Sequence, residues 1–303
     1  MDPRVAELMP IIEAFGLHTS DIASARASFH EVCATFPPPE GVTVESVELG
    51  GRPGLRFRPD GGSDGRRILH LHGGAFVIGD LGVQLAMPAS LSRATGAEVV
   101  SLDYRVAPEH PCPAAIEDAV AAYLELRRDG PVAAIAGESA GGALVVLAAV
   151  ALRDLGAPPP TALVAVSPWV DLWATSERFA DPSFRDPVLS RAFLSAAAAA
   201  WQGGLDAADE RLSPLQADLS GLAPTLVHVG GDELLVEDST RLAQRLALAG
   251  GHVELRVVAD MPHVFAAYPT LAPECDQSLS RIAGFLTDAS ALPTVSASSP
   301  SGT

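Results

Sequence analysis

The stretch VAAIAGESAGGALVVLAAVALRDLG (residues 132–156) determines the fold that this sequence predicts. Its first five residues are apolar, Gly137-Glu138-Ser139-Ala140-Gly141 follows, and a run rich in Ala, Leu and Val completes it. This order predicts a strand, a tight turn and a helix. A Gly-x-Ser-x-Gly turn in that context presents its serine at the top of an α/β sheet, because the small flanking residues let the backbone bend sharply. Ser139 is therefore the candidate nucleophile.

Apolar runs of strand length alternate with helical patterns along most of the chain. Strands are predicted at 42–49, 55–58, 67–71, 98–103, 132–136, 161–166, 225–229 and 253–258, and helices at 113–128, 140–155, 239–249 and 273–287. Strands that alternate with helices form a parallel sheet that is covered on both faces. The predicted fold class is therefore α/β, with a mostly parallel central sheet flanked by helices.

Three segments stand apart from this alternation. Residues 1–40 have helical spacing and end at a run of three prolines. Residues 168–222 carry aromatic residues and prolines between two core strands, which makes them a candidate lid; the alternative is ordinary packing of extra helices. Residues 289–303 are dominated by Ser, Pro, Thr and Gly and are predicted to form a disordered tail.

The composition excludes several classes of partner. The chain has 303 residues, with 20 basic against 37 acidic side chains and a net charge of −17, which argues against binding to nucleic acid or to anionic membrane surfaces. Three scattered cysteines form no CxxC pair and no metal-ligand cluster, a pattern typical of reduced thiols in a cytoplasmic protein. No run of about 18 apolar residues occurs, so no integral membrane association is expected.

The segment His72-Gly73-Gly74-Ala75-Phe76 directly follows a predicted strand. Acyl transfer needs hydrogen-bond donors aimed at a developing oxyanion, and glycines leave their backbone N–H groups unshielded. We expect the amides of Gly73, Gly74 and Ala140 to form this oxyanion hole. The alternative is a Gly-Gly turn next to a buried histidine, and His72 itself is interpreted as structural.

A serine hydroxyl is a weak nucleophile that needs an adjacent base. His263 follows the predicted strand 253–258 by a short loop, which places it at the carboxyl edge of the sheet, where ligands bind in α/β folds. Most of the other histidines lie within predicted strands, at a strand start or in the amino-terminal segment. His263 is therefore the predicted base.

The acid that orients this histidine should lie between the serine and the histidine in sequence. Asp232 follows the strand 225–229 through two glycines and meets this condition. Glu233 and Asp238 are nearby alternatives, of which Asp238 is interpreted as a residue that caps the next helix or ties the loop. The predicted triad is Ser139, Asp232 and His263.

Six segments, in order from about residue 70 to 265, resemble motifs of the bacterial hormone-sensitive-lipase-like branch of the α/β-hydrolases: HGGAF (72–76), DYRVAPEHP (103–111), GESAGG (137–142), SPWVDL (167–172), GDELL (231–235) and MPHVF (261–265). The resemblance implies an α/β-hydrolase fold and a serine esterase with the predicted triad and oxyanion hole. It also implies a cap built from residues 1–45 and the insertion at 168–222, on a core of residues 46–288. Glu138 stands where this branch often has Asp, and Arg105 and Glu109 are expected to brace loops.

The expected function is hydrolysis of short to medium acyl esters or small lactones through an acyl-enzyme, without metal or organic cofactor. Four residues are expected to contact the substrate: Phe76, Trp169, Trp201 and Val264. Two alternatives remain at this point. One is an acyltransferase or a deacetylase of a secondary metabolite that uses the same triad; the other is a non-catalytic small-molecule receptor, against which the presence of His263 argues. A homodimer is also expected if the strand 253–258 lies at the sheet edge.

Overall fold

The computed structural model describes residues 6–7, 10, 14–15, 17–34, 40–79, 81–82, 84–267 and 272–292. The strands are β1 (Val42–Leu49), β2 (Arg52–Pro59), β3 (Arg67–Leu71), β4 (Glu98–Leu102), β5 (Ala134–Glu138), β6 (Ala162–Val166), β7 (Thr225–Gly230) and β8 (Val253–Val258). The helices are α1 (Ile22–Cys33), α2 (Ala86–Thr95), α3 (Ala114–Leu126), α4 (Ala140–Asp154), α5 (Glu177–Ala180), α6 (Arg191–Gln202), α7 (Val236–Leu248) and α8 (Pro273–Ser290). None of these described helices has both the length and the apolar character needed to cross a bilayer.

The strands form one sheet in the order β1-β2-β4-β3-β5-β6-β7-β8. The first two strands form an antiparallel hairpin, and β2 also pairs antiparallel with β4. From β4 to β8 all pairings are parallel. The mostly parallel sheet predicted from the alternating pattern is confirmed.

The central strands are buried on both faces, which explains why β5, β6 and β7 are continuous apolar runs. One face packs against α3 and α4, and its core includes Leu69, Val145 and Trp169. The opposite face packs against α2 and α8, with Phe57, Ile282 and Phe285 in its core. Helices on both faces therefore hold the sheet rigid beneath the loops at its carboxyl edge.

The helix α2 was not predicted from sequence. It contains Pro88 in its first turn and two serines, which weaken its helical pattern. Its burial against the sheet supplies the stability that local propensity lacks. Helix α7 begins at Val236, three residues before the predicted start. The three prolines at 37–39, the tail beyond residue 292 and most of the first predicted helical face lie outside the described residues.

Three strand ends bring the candidate residues together. Ser139 follows β5, Glu233 follows β7, and His263 follows β8. Because β5, β7 and β8 run parallel within one sheet, their carboxyl ends lie at the same edge. Ligands bind at this edge in open α/β sheets, so the candidate functional site lies there.

Candidate active site

Ser139 lies at a strained turn between β5 and α4. Its φ of +56° places a non-glycine residue in the left-handed region, a conformation that the surrounding hydrogen bonds impose. Its amide donates to Val166 O, and its carbonyl accepts from the Trp169 amide. A Cβ on Gly141 would collide with the carbonyl oxygen of Leu71, so only glycine lets α4 approach β3 this closely. The turn therefore places the hydroxyl of Ser139 at the carboxyl edge of the sheet, where it faces the loop that carries His263.

The imidazole of His263 lies between Ser139 and Glu233. Its Nε2 is 3.0 Å from Ser139 Oγ, and its Nδ1 is 3.1 Å from Glu233 Oε1. Because a carboxylate accepts hydrogen bonds, Nδ1 carries the proton and Nε2 is free to accept from the serine. All three side chains are buried, with exposures of 7%, 5% and 0% for Ser139, His263 and Glu233. The arrangement can take a proton from the serine hydroxyl.

The prediction that Asp232 contacts the histidine is wrong, because Glu233 holds that position. The amide of Asp232 donates to Met261 O, which directs this part of the loop toward the segment that carries His263. The side chain of Asp232 is half-buried and makes no hydrogen bond with a described residue. Glu233, one of the alternatives considered from sequence, folds back onto the end of β7, where its Oε2 accepts from the Gly230 amide.

Ser167 completes the surroundings of Glu233. Its hydroxyl donates to Glu233 Oε2 at 2.8 Å and accepts from the Val264 amide at 3.2 Å. It therefore joins the loop after β6 to the loops that carry Glu233 and His263. In the sequence, Ser167 is only the first residue of the SPWVDL segment, and nothing in the local pattern predicts its role, because its hydroxyl meets partners 66 and 97 residues away.

The predicted oxyanion hole needs one correction. The amide of Gly73 donates to Glu138 Oε1 at 2.8 Å, so it cannot point at an oxyanion. The amides of Gly74, Ala75 and Ala140 donate to no described residue. Gly74 and Ala75 have φ values of +121° and +52°, so this part of the loop holds a strained conformation. The amides left available at this turn are those of Gly74, Ala75 and Ala140, whereas the prediction had Gly73 in place of Ala75.

A buried polar network holds the loop that contains Gly73. Glu138 Oε2 lies 2.8 Å from His70 Nε2, and His70 Nδ1 lies 2.9 Å from Ser101 Oγ. Burial alone would raise the pKa of Glu138, but His70 and the Gly73 amide outweigh burial and leave this pKa below its usual value. The carboxylate is therefore ionised and fixes the backbone next to Ser139.

His72 is structural, as the sequence suggested. Its ring stacks on Tyr104 with centroids 4.1 Å apart, its Nδ1 contacts Gly73 O, and the Tyr104 hydroxyl donates to His72 O. Burial lowers its pKa, which keeps the ring neutral. His72 thus supports the turn into the oxyanion loop without contacting Ser139.

The aromatic residues predicted to contact substrate form one cluster. Phe76 stacks on Trp201 with centroids 4.0 Å apart, and Trp169 lies 6.0 Å from Phe76. All three are buried. Val264 follows His263, is half-buried and has a φ of +54°. These residues lie next to the oxyanion loop, the nucleophile turn and the base, and their contact with a substrate stays a prediction.

Comparison with known proteins gives a consistent result. Residues 68–267 match a family model described as an alpha/beta hydrolase fold. An acetyl-hydrolase of Streptomyces hygroscopicus is 38% identical over 226 residues, covering 74% of this chain and 76% of that protein. An esterase of Acinetobacter venetianus is 32% identical over 266 residues, which cover 86% of this chain and 88% of that esterase. A crystal structure of an esterase from the bacterial hormone-sensitive lipase family has a TM-score of 0.89 at 37% identity, covering 95% and 98%.

This chain belongs to the α/β-hydrolases. Its structural neighbours place it in the hormone-sensitive lipase branch, and its relatives are esterases and an acetyl-hydrolase. The chain is a carboxylic ester hydrolase, as the motifs implied.

Two charged residues of this hydrolase do brace loops. Arg105 donates to the carboxylates of Asp118 and Glu117. Glu109 accepts from the guanidinium of Arg26, which also donates to Val77 O and Ala107 O. Arg26 therefore ties α1 to the oxyanion loop, a contact that nothing in the local pattern of α1 indicates.

Proposed function

We propose that this hydrolase is a serine carboxylesterase in which Ser139 is the nucleophile, His263 the base and Glu233 the acid. The observation that carries the proposal is the hydrogen-bonded series from Ser139 Oγ through the His263 ring to Glu233, with distances of 3.0 and 3.1 Å. A nucleophile, a base and an orienting acid within hydrogen-bond reach are the signature of nucleophilic acyl transfer.

The reaction has two halves. Ser139 Oγ attacks the carbonyl carbon of the ester while His263 Nε2 takes the hydroxyl proton. The tetrahedral intermediate collapses as the imidazolium protonates the leaving alkoxide, which leaves an acyl-serine. Water then attacks the acyl carbon while His263 takes a proton from the water. His263 gives this proton to Ser139 Oγ as the carboxylic acid product is released. Glu233 holds the imidazole in the productive tautomer and stabilises the imidazolium.

The amides of Gly74, Ala75 and Ala140 would stabilise the oxyanion. They make no hydrogen bond with a described residue and flank the nucleophile turn. Ala140 is the first residue of α4, so its N–H also benefits from the positive end of the helix dipole. Donors of this kind that are fixed before the reaction starts lower the barrier by about 3–4 kcal/mol each.

The substrate is a short to medium acyl ester or a small lactone. Phe76, Trp169 and Trp201 are large, buried and packed against one another next to the oxyanion loop. Such a cluster would give a small acyl group an apolar wall. The similarity to an acetyl-hydrolase supports the short end of this range. A lactone is an ester closed on itself and would open by the same steps.

The test is a chain-length series of p-nitrophenyl esters from acetate to dodecanoate, with several lactones, on the wild type and S139A. We expect turnover to be highest for acyl chains of about two to six carbons and to fall by about 10³-fold or more in S139A. A fluorophosphonate probe should label the wild type at Ser139 and leave S139A unlabelled. Turnover that persists in S139A, or a wild type that the probe does not label, contradicts the proposal.

The protein also offers a surface for a second copy. Among the strands that the structure describes, β8 is the last of the sheet and pairs with β7 alone. Leu255 and Val257 on this strand are exposed at 39% and 46%. An unpaired edge with apolar side chains can pair with a second chain, which supports a homodimer formed through β8.

A further inference from the structure

Residues 176–191, here called the acid-loop brace, lie between β6 and β7 in the chain and pack against the loop that carries Glu233. The carboxylate of Glu237 accepts from the amides of Glu177 and Arg178 at 2.9 and 2.8 Å, which fixes the start of α5. Arg191 donates to the carbonyls of Arg178 and Phe179. The brace is therefore a hydrogen-bonded unit and not a loose connection.

The acid-loop brace holds the backbone on both sides of Glu233. Arg178 Nη1 donates to the carbonyls of Gly231 and Glu233, each at 2.9 Å. Asp186 Oδ2 accepts from the Leu234 amide at 2.6 Å. The Arg178 guanidinium thus holds two carbonyls, one of them that of Glu233. The Asp186 carboxylate holds the amide of the next residue, Leu234.

Asp186 needs both of its oxygens for this task. Its Oδ1 accepts from the amides of Val188 and Leu189 at 2.7 and 2.8 Å, while Oδ2 accepts from Leu234. Every partner is an N–H donor, so only a carboxylate can satisfy both sides. The side chain is 5% exposed. Burial raises the pKa of the Asp186 carboxyl, and the nearby Glu233 carboxylate adds to this rise. The nearby His263 and the amides that donate to Asp186 lower this pKa but do not cancel the effect of burial.

We propose that Asp186 is a positioning residue for the catalytic acid: with Arg178, it fixes the backbone of residues 231–234 so that the Glu233 carboxylate meets His263 Nδ1. The proposal rests on the serine esterase function proposed above. It assigns the segment after β6 a task in holding the acid, in addition to any role in covering the substrate.

The first variant is D186N. An asparagine has one acceptor oxygen, so its NH₂ group must face either Leu234 N–H or the amides of Val188 and Leu189. We expect kcat to fall by about 10- to 100-fold with KM within about twofold, because a displaced acid affects proton transfer more than ester binding. The matched control is D181N. Asp181 lies in the same segment, is exposed and accepts from Ser183, so this variant should keep wild-type kcat.

A double-mutant cycle with Glu233 separates positioning from general stability. If Asp186 acts through Glu233, D186N should change kcat of E233Q by less than about twofold, whereas in the wild type it has its full effect. A purely structural role would lower kcat in both backgrounds by the same factor. Equal factors in the two backgrounds, or wild-type kcat in D186N, overturn the proposal.

A second pair of variants covers a failure of D186N to fold, which circular dichroism would detect. R178M removes the side-chain donor to Gly231 and Glu233, and R178K keeps a donor on a side chain of similar length. We expect kcat in the order wild type, R178K, R178M, with no further loss for R178M in E233Q. Wild-type kcat in R178M, or the same factor of loss in both backgrounds, overturns the proposal.

The same assays report on the proposed function independently. Ester turnover in the wild type and its loss in S139A support the serine esterase whatever the result for Asp186. If S139A keeps full turnover, the proposed function and the positioning role both fail. If S139A is inactive and the Asp186 and Arg178 variants match the wild type, only the positioning role fails.

Discussion

The carboxylate of Glu233 is fully buried, yet three hydrogen-bond donors surround it. They are His263 Nδ1–H, the Ser167 hydroxyl and the Gly230 amide. An unpaired buried charge is strongly destabilising, and such donors offset that penalty. They also leave the carboxylate one orientation, which in turn sets the orientation of the His263 ring. At the scale of a single residue, the hydrogen-bonded carboxylate of Glu233 fixes the orientation of the His263 ring.

We expect E233Q to lower kcat by about 10³- to 10⁴-fold while D232N stays within about threefold of the wild type. A glutamine has one acceptor oxygen for three donors, so the amide cannot satisfy His263, Ser167 and Gly230 together. Steady-state kinetics on p-nitrophenyl acetate measures both variants. The reverse order, with D232N inactive and E233Q active, would restore Asp232 as the acid.

At the scale of secondary-structure elements, Asp238 ties α7 to the loop after β6. Its Oδ2 accepts from the amides of Val170 and Asp171 at 2.9 and 2.7 Å. Its Oδ1 is buried and has no partner among the described residues. Burial raises the pKa of Asp238 to about 8, and the neighbouring Asp171 adds to the rise. The loop tie that the sequence suggested for Asp238 is therefore made by a carboxyl group that is protonated at neutral pH.

This raised pKa makes stability fall as pH rises. Between the usual aspartate pKa of 3.8 and about 8, the unfolded chain loses the proton of Asp238 while the folded chain keeps it. The free energy of unfolding therefore decreases across this window, by at most about 1.4 kcal/mol per pH unit. D238N cannot ionise, and its oxygen can still accept from Val170 and Asp171.

We expect the Tm of D238N, relative to the wild type, to rise steadily from pH 4 to pH 8. Differential scanning calorimetry at several pH values measures this difference. D129N is the control for the change in net charge, because the carboxylate of Asp129 is exposed. The Tm difference between D129N and the wild type should change less with pH than the Tm difference between D238N and the wild type. A constant difference between D238N and the wild type across the window would show that Asp238 is ionised throughout.

At the scale of the whole molecule, the sheet brings distant residues to one edge and leaves another edge open. Ser139 and His263 are 124 residues apart in the chain and meet because β5 and β8 run parallel. Within the described residues, the same order leaves β8 without a second neighbouring strand. The edge that carries Ser139 and His263 and the free edge at β8 are thus consequences of one topology.

We expect the wild type to have a mass close to twice the 31.3 kDa of the chain in light scattering coupled to size-exclusion chromatography. V257K should shift the mass toward that of a single chain, because it places a charge on the exposed edge strand. The matched control is L155K, since Leu155 is exposed at 65% directly after α4, a helix that packs against β5 and β6 in the middle of the sheet. A wild-type mass of about 31 kDa would rule out the dimer.

Patterns within a short stretch predicted most of the fold. The strand, turn and helix around Ser139 follow from apolar runs and small residues, because each depends on neighbours along the chain. The parallel sheet follows from the alternation of such elements. Helix α2 was not predicted, because Pro88 in its first turn and its two serines weaken the helical pattern of the sequence. Packing against the sheet stabilises this helix in the folded protein.

The sequence was sufficient to predict that Ser139 and His263 meet, since each follows a strand with a recognisable pattern. It was not sufficient to choose Glu233 over Asp232 as the carboxylate that contacts His263, or to show that the Gly73 amide donates to Glu138. Those choices depend on which way a side chain or an amide points, and this is set by contacts from distant segments. Gly230 and Ser167 hold Glu233, and the Glu138 carboxylate engages the Gly73 amide.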